Sequence, residues 1–117
     1  MARKDELGRR GEHLAAEHLT NTGYTVIDRN WRCPIGEIDI VARERAELVV
    51  VEVKTRSGVG FGHPLDAVTP LKLARLRRLA GAWCEAHPGE GETVRIDVIG
   101  VIVDRGAVSI DHLRQAC

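Results

Sequence analysis

Cysteine is scarce in this sequence, and its three copies, Cys33, Cys84 and Cys117, are far apart. None stands in a Cys-x-x-Cys spacing, and an odd number cannot pair completely within one chain. These features exclude a disulfide framework and a thiolate zinc site. We therefore expect three reduced thiols.

Aromatic side chains are also few, and there are four of them: Tyr24, Trp31, Phe61 and Trp83. Proteins that bind single-stranded nucleic acid stack successive bases on several aromatic rings, and four scattered rings do not provide such a platform. Trp31 is predicted to be a core or lid residue. If the chain binds nucleic acid, duplex or branched DNA suits it better.

Long apolar runs are absent as well, and the N-terminus has no apolar segment of the signal-peptide type. No stretch reaches the length that spans a bilayer. These absences predict a cytoplasmic protein without a membrane partner. A length of 117 residues predicts a single domain over 1–117.

The chain has no excess of either charge, with 17 basic and 17 acidic residues. Binding to nucleic acid through bulk charge alone is therefore not expected. Basic residues do cluster locally, and each cluster is open to two interpretations, a solvated face or a set of phosphate contacts. The clusters are Arg3, Lys4, Arg9 and Arg10; Arg29 and Arg32; and Lys72, Arg75, Arg77 and Arg78.

Two helices and five strands are predicted from hydrophobic periodicity and from turn and capping residues. Residues 30–34 are expected to form a loop, and the glycine-rich residues 55–64 a mobile loop beside the site. The helices cover residues 5–22 and about 70–87. The strands cover residues 24–28, 36–43, 48–54, 93–103 and 107–110.

Two charged residues lie on or beside the apolar faces of these helices. Glu12 falls at the edge of the first apolar stripe, where it could reach solvent, pair with an arginine or bind a metal. Lys72 shares a face with Leu76 and Leu79 in the first turn of the second helix, where positive charge opposes the helix dipole. It either snorkels to solvent or meets an anion, such as a phosphate or a carboxylate cluster.

The stretch from Gly36 to Arg56 reads as a hairpin in which facing residue numbers sum to 91. In this register Asp39 lies opposite Glu52, with Cβ atoms about 5 Å apart. Two carboxylates at that distance repel by about 3 kcal/mol at an effective dielectric near 20. A cation between them is expected: either a divalent metal ion, with Lys54 beside it to orient water, or Lys54 itself in a surface ion-pair ladder.

These residues resemble the core of the PD-(D/E)XK nuclease superfamily, in which Asp on one strand and Glu-x-Lys on the next bind metal. More narrowly, the chain resembles the YraN-type uncharacterised protein family (family 0102). It is also similar to the archaeal Holliday-junction resolvases, in which a helix glutamate joins the site. The motifs that carry the resemblance are Gly11-Glu12, Gly36-Glu37-Ile38-Asp39, Glu52-Val53-Lys54-Thr55-Arg56, and Phe61-Gly62 followed by Lys72.

The resemblance implies a three-layer α/β restriction-endonuclease-like fold and a metal-dependent endonuclease that hydrolyses phosphodiester bonds in duplex or branched DNA. Mg²⁺ or Mn²⁺ would be held by Asp39, Glu52, the Val53 carbonyl and Glu12, while Lys54 orients or deprotonates the water. Asp39, Glu52 and Lys54 are the implied catalytic residues. Lys72, Arg56 and Arg75 are the predicted contacts to nucleic acid, and a homodimer is compatible with the sequence. The alternative is a non-catalytic nucleic-acid-binding or assembly module that keeps the nuclease fold.

Overall fold

Five strands form one mixed sheet in the order β1-β2-β3-β4-β5. The structure, a computed structural model, describes residues 6–58, 60, 62–90 and 93–116. The elements in chain order are α1 Glu6–Asn21, β1 Thr25–Cys33, β2 Gly36–Glu44, β3 Glu47–Arg56, a 3₁₀ helix Pro64–Ala67, α2 Pro70–Ala86, β4 Thr93–Asp104 and β5 Ala107–Leu113. Within these residues, no helix combines the length and apolar character needed to cross a membrane.

The β2–β3 hairpin has the predicted register. Ile40 pairs with Val51 and Glu44 with Glu47. The two-residue turn at Arg45 and Ala46, in which Arg45 has a positive φ of 56°, sets this register, because loop length and turn type fix the strand pairing in a hairpin. Neighbouring strands are antiparallel except β3 and β4, which run parallel and are joined through α2.

Two apolar clusters lie on opposite faces of the sheet, which confirms the predicted three layers. Ala15 and Leu19 of α1 pack on one face, and Leu76, Leu79 and Trp83 of α2 on the other. The first cluster also contains Ile40, Ala42, Val49, Val51, Ile99 and Val101, and the second contains Ile38, Val41, Leu48, Val50 and Ile96. Ile38 and Ile40 thus pack in different clusters, so the expected alternation fails at the start of β2, next to Asp39.

The start of α2 follows from its capping residues. The Thr69 hydroxyl accepts a hydrogen bond from the Lys72 backbone N–H at 3.2 Å, and Pro70 occupies the first helical position. The hydroxyl satisfies a backbone donor that has no partner within the helix, and proline has no such donor to satisfy. The cap fixes where the first turn of α2 meets the sheet.

The predicted loop over residues 30–34 is wrong, because β1 continues to Cys33. Trp31 pairs with Ile38 and Cys33 with Gly36, which leaves Pro34 and an exposed Ile35 as the turn. The sequence pattern fails here for two reasons: the strand pairing shifts between Val26 and Asp28, and Asn30 adopts a positive φ of 54°. Trp31 packs against the α2 cluster, as expected of a core residue.

The predicted loop over residues 55–64 is shorter than expected. Strand β3 extends to Arg56, and the 3₁₀ helix begins at Pro64, capped by His63. Val59 and Phe61 lie outside the described residues, as do Arg3, Lys4 and Cys117. Strand β5 is longer than predicted, since its pairing with β4 continues to Leu113.

Candidate active site

A cleft of about 740 Å³ lies where the first turns of both helices meet the ends of β2 and β3. The four residues of the sequence-based site, Glu12, Asp39, Glu52 and Lys54, all line it. Its other lining residues are Leu7, Gly8, Arg32, Cys33, Gly36, Glu37, Val53, Thr55, Lys72, Arg75, Leu76 and Leu79.

Asp39 is held at the point where the β2–β3 pairing ends. The last paired residues of this ladder are Ile40 and Val51. Beyond them, the Val53 backbone N–H donates to Asp39 Oδ2 at 2.9 Å, so a side-chain bond continues where the backbone ladder stops. The Asp39 side chain is thereby fixed at the cleft while it is nearly buried, with 8% of its surface exposed.

Glu52 shows the electrostatic strain of the paired carboxylates. Burial and the nearby charge of Asp39 raise the pKa of Glu52 to about 7, although Lys54 acts in the opposite direction. Burial has this effect because it disfavours the charged form of an acid, and a like charge adds to it. A group of higher positive charge than one ammonium would relieve this strain.

Lys54 and Glu52 form an ion pair, with 3.3 Å between Nζ and Oε2. The sequence left two interpretations open for Lys54, and this contact is what a surface ion-pair ladder predicts. The pair does not by itself exclude a catalytic role, because Lys54 also lines the cleft together with Asp39 and Glu52. Its contact with Glu52 is therefore common to both interpretations.

Glu12 reaches the cleft because α1 packs unusually closely on β3. A Cβ atom at Gly11 would lie only 1.9 Å from Thr55 Oγ1, so only glycine permits this approach. Glu12 is 4% exposed, and its Oε1 accepts a hydrogen bond from Asn30 Nδ2 at 2.7 Å. Glu12 was predicted to lie at the edge of the apolar stripe of the first helix. In the structure this position is buried at the wall of the cleft.

The donor set fits a hard divalent cation. Among the described residues, no group of three or more His, Cys, Asp or Glu side chains is arranged to hold one metal ion. The expectation that three carboxyl groups reach a single ion is therefore not met among these residues. Mg²⁺ needs fewer than three carboxylate ligands, since it is usually bound through one or two carboxylates and keeps several waters. Asp39 and Glu52 meet that requirement.

Cations surround the carboxylates at the cleft. Lys72 lines it although the residue is solvent-exposed, and so do Arg32 and Arg75. Arg75 Nη2 donates to the Ile35 carbonyl at 3.2 Å, and its guanidinium covers Gly36, where a Cβ would lie 2.6 Å from Nη2. Arg56 is not among the lining residues; its Nη1 donates to the Thr55 carbonyl. Arg9, Arg10, Arg29, Arg77 and Arg78 are exposed and lie outside the cleft lining.

Asp97 lies outside this cleft and belongs to a buried polar network. Burial alone raises the pKa of Asp97, but hydrogen bonds from His112 and Arg95 hold it well below its usual range. Tyr24 donates to the same carboxylate at 3.0 Å. In the described part of the chain, no buried side-chain polar atom lacks a hydrogen-bond partner.

Sequence reasoning missed Asn30 as a residue of the site. Its contact with Glu12 joins β1 to α1 across 18 positions of sequence. The dipeptide Asn30-Trp31 gave no sign of this contact, because a polar residue before an aromatic is equally typical of a loop. Cys33 and Cys84 are free thiols, as predicted, and Cys33 lines the cleft.

Comparison with known proteins places this chain among uncharacterised relatives. A family model described as "Uncharacterised protein family UPF0102" matches residues 11–101. A "UPF0102 protein" of Clavibacter michiganensis subsp. michiganensis is 56% identical over 118 residues and covers 100% of both chains. Another, of Paenarthrobacter aurescens, is 54% identical over 119 residues, with 100% of this chain and 98% of that protein covered.

Among solved structures, the chain is similar to Hjc of Archaeoglobus fulgidus, described as a Holliday junction resolvase from an archaeal hyperthermophile. The TM-score is 0.55 at 17% sequence identity, and the match covers 92% of this chain and 76% of that one. At this identity the likeness shows the fold, which is restriction-endonuclease-like.

Proposed function

We propose that this chain, which belongs to the uncharacterised protein family UPF0102, hydrolyses phosphodiester bonds of duplex or branched DNA with the help of Mg²⁺ or Mn²⁺. One observation carries the proposal. Asp39, Glu52 and Lys54 line one open cleft, in which burial and the nearby Asp39 charge raise the pKa of Glu52 to about 7. Such a pair of carboxylates is costly for stability alone and well suited to a hard cation.

Asp39 and Glu52 would hold the ion, with the Val53 carbonyl as a further oxygen donor and Glu12 at the wall. A divalent ion, when bound, supplies Lewis acidity toward a phosphoryl oxygen and offsets the charge of the two carboxylates. The Val53 N–H keeps the Asp39 carboxylate in place through their 2.9 Å hydrogen bond. A fixed ligand loses less conformational freedom when the cation binds.

Lys54 is the residue that acts on the water and on the phosphate. As an ammonium it orients the attacking water and stabilises the negative charge that develops at phosphorus. Its ion pair with Glu52 holds it at the cleft before substrate binds. Lys72, Arg75 and Arg32 at the cleft would contact backbone phosphates, and Arg56, beyond the lining, would contact a more distant part of a duplex.

Metal-dependent cleavage of duplex, flapped and four-way DNA tests the proposal. With Mg²⁺ or Mn²⁺, the wild type should cleave at least one substrate, and chelation should abolish cleavage. Lys54→Ala should lower the rate by roughly 10²-fold or more, which is typical when a group that stabilises transition-state charge is removed. Arg105→Ala, in the exposed β4–β5 turn, is the matched control for loss of a cation and should cleave like the wild type.

The competing function is a non-catalytic nucleic-acid-binding or assembly module, and the Lys54–Glu52 ion pair is the observation that favours it. That function predicts DNA binding without cleavage under any metal condition. Equal residual cleavage by the wild type and by Lys54→Ala would indicate a contaminating nuclease and would also contradict the proposal.

A further inference from the structure

Asn30 and Glu12 form a contact that the proposed hydrolysis does not itself explain. Asn30 is on the edge strand β1 and solvent-exposed, whereas Glu12 comes from α1 and is 4% exposed. Asn30 Nδ2 donates to Glu12 Oε1 at 2.7 Å, which is a short bond for an amide and a carboxylate. A side chain at the surface thus reaches inward to a buried acid.

The backbone of Asn30 is adapted to this contact. Its φ of 54° lies in the left-handed region, which non-glycine residues rarely adopt and which asparagine tolerates better than most. Asn30 stands between Arg29 and Trp31, and their partners on β2, Ile40 and Ile38, flank Asp39. Asn30 is therefore at the same level of the sheet as Asp39 while it bonds to Glu12.

The chemistry of the donor is informative as well. A buried carboxylate needs hydrogen-bond donors, and arginine is the usual choice because it also neutralises the charge. The Asn30 amide donates to one oxygen of the Glu12 carboxylate and adds no charge of its own.

We infer that Asn30 is a positioning residue that holds Glu12 as an oriented anion at the cleft wall, where its charge acts on a hydrated divalent cation bound by Asp39 and Glu52. The inference rests on the proposed function, because it assumes that the cleft binds such a cation. A supporting residue of this kind is typical of metal sites, in which hydrogen bonds to the acidic groups orient them. Its removal commonly weakens metal binding by roughly 10-fold to 100-fold.

Calorimetric titration with Mn²⁺ measures the effect without any requirement for activity. Asn30→Gly keeps a residue that tolerates positive φ and removes the donor, so its Mn²⁺ affinity should be roughly 10-fold lower than that of the wild type. In a Glu12→Gln background, the same substitution should have almost no further effect, because the carboxylate it orients is gone. Asn21→Gly, at the exposed end of α1, is the matched control and should bind like the wild type.

A second measurement avoids any substitution at Asn30. The chain has three side-chain amides, those of Asn21, Asn30 and Gln115, so their NMR signals are easily distinguished. Titration with Mg²⁺ should shift the Asn30 amide signal in the wild type and leave it unmoved in Glu12→Gln. The Asn21 signal serves as the internal control.

The possible failures are distinguishable. If the wild type binds no Mn²⁺ at all, both the proposed function and this inference are overturned. If the wild type binds Mn²⁺ and Asn30→Gly binds it equally well, or loses the same affinity in the Glu12→Gln background, the inference about Asn30 fails while the proposed function stands. If the NMR signal of the Asn30 amide does not shift when Mg²⁺ is added, the conclusion is the same.

Discussion

Glu52 is the residue whose protonation reports most directly on the cleft. Burial and the Asp39 charge raise its pKa to about 7, well above the value of 4.5 expected in an unfolded chain. The folded protein therefore holds a proton at Glu52 more tightly than the unfolded chain does. This contribution to stability is fully present below pH 4.5 and is lost as the pH rises through about 7.

Glu52→Gln should remove this pH dependence. In metal-free wild-type protein, ionisation of Glu52 should lower the free energy of unfolding by on the order of 3 kcal/mol between pH 4.5 and 8. A glutamine keeps the shape of the protonated acid and cannot ionise, so the variant should lose less stability over that range. Urea unfolding at both pH values, with a chelator present, measures the difference. Parallel pH profiles for the two proteins would show that the carboxylates do not strain each other.

For individual residues, the sequence predicted that Asp39 lies near Glu52, but it did not predict the hydrogen bonds that hold the site residues in place. The short turn between Glu44 and Glu47 was enough to place Asp39 near Glu52, because loop length sets the register of a hairpin. Asn30 was missed because its role depends on a positive φ and on a contact with α1, and neither leaves a local pattern. The hydrogen bond from the Val53 N–H to Asp39 was not predicted for a similar reason, since it forms only where the backbone pairing of β2 with β3 stops.

Among the elements, the packing of α1 on β3 controls the cleft most tightly. Gly11 lies against Thr55, and there is no space between them for a methyl group. The contact stands next to Glu12 along the helix and next to Lys54 along the strand. The distance between the two elements thus sets the distance between the Glu12 carboxylate and the Lys54 ammonium.

Gly11→Ala should therefore destabilise the protein although alanine favours helices. The new Cβ would meet Thr55 Oγ1 at 1.9 Å, and the helix or strand must shift, at a cost of roughly 1–3 kcal/mol. Gly81→Ala in α2 is the matched control. Nothing lies within 4 Å of its Cβ, so it should stabilise the protein by up to about 1 kcal/mol. Thermal unfolding measures both, and a stabilised Gly11→Ala would contradict the close packing.

Element boundaries were predicted best where capping residues mark them. Thr69-Pro70 gave the start of α2 because a hydroxyl and a proline act locally. The second half of β1 was assigned to a loop because Asn30, Pro34 and Gly36 signal a turn, whereas pairing with β2 overrides that signal up to Cys33. Hydrophobic periodicity was enough to predict the helices, the hairpin and the class of the sheet. It was not enough to predict the length of the edge strand β1.

In the molecule as a whole, charged groups serve two separate purposes. In the cleft, burial and the nearby Asp39 charge raise the pKa of Glu52 although Lys54 pairs with it, whereas in the Asp97 network hydrogen bonds from His112 and Arg95 hold the pKa of Asp97 below its usual range. Arg95 donates to Asp97 and also contacts Glu44 and Glu47, each at 2.9 Å. Tyr24, His18, His112 and Arg114 complete this network.

Asp97→Asn should destabilise the fold without altering the cleft. The substitution removes one of the three carboxylates that contact Arg95, and the one that contacts His112, so the cost should be up to about 3–5 kcal/mol, the range for a broken buried ion pair. Asp104→Asn, at the exposed end of β4, is the matched control and should change stability little. Urea unfolding gives the stability, and calorimetry should give the same Mn²⁺ affinity for both variants as for the wild type. Weaker Mn²⁺ binding by a folded Asp97→Asn would show that the two sites are coupled.

The parallel pairing of β3 with β4 also dictates the order in which a nascent chain can fold. Strands β1 to β3 form from neighbouring segments, but residues 93–104 leave the ribosome last among the partners that β3 requires. Until then, the apolar segment Leu48–Val51 presents an open edge, which is a template for pairing with other chains. The strand that carries Glu52 and Lys54 therefore keeps an edge open to pairing with other chains until β4 has been synthesised.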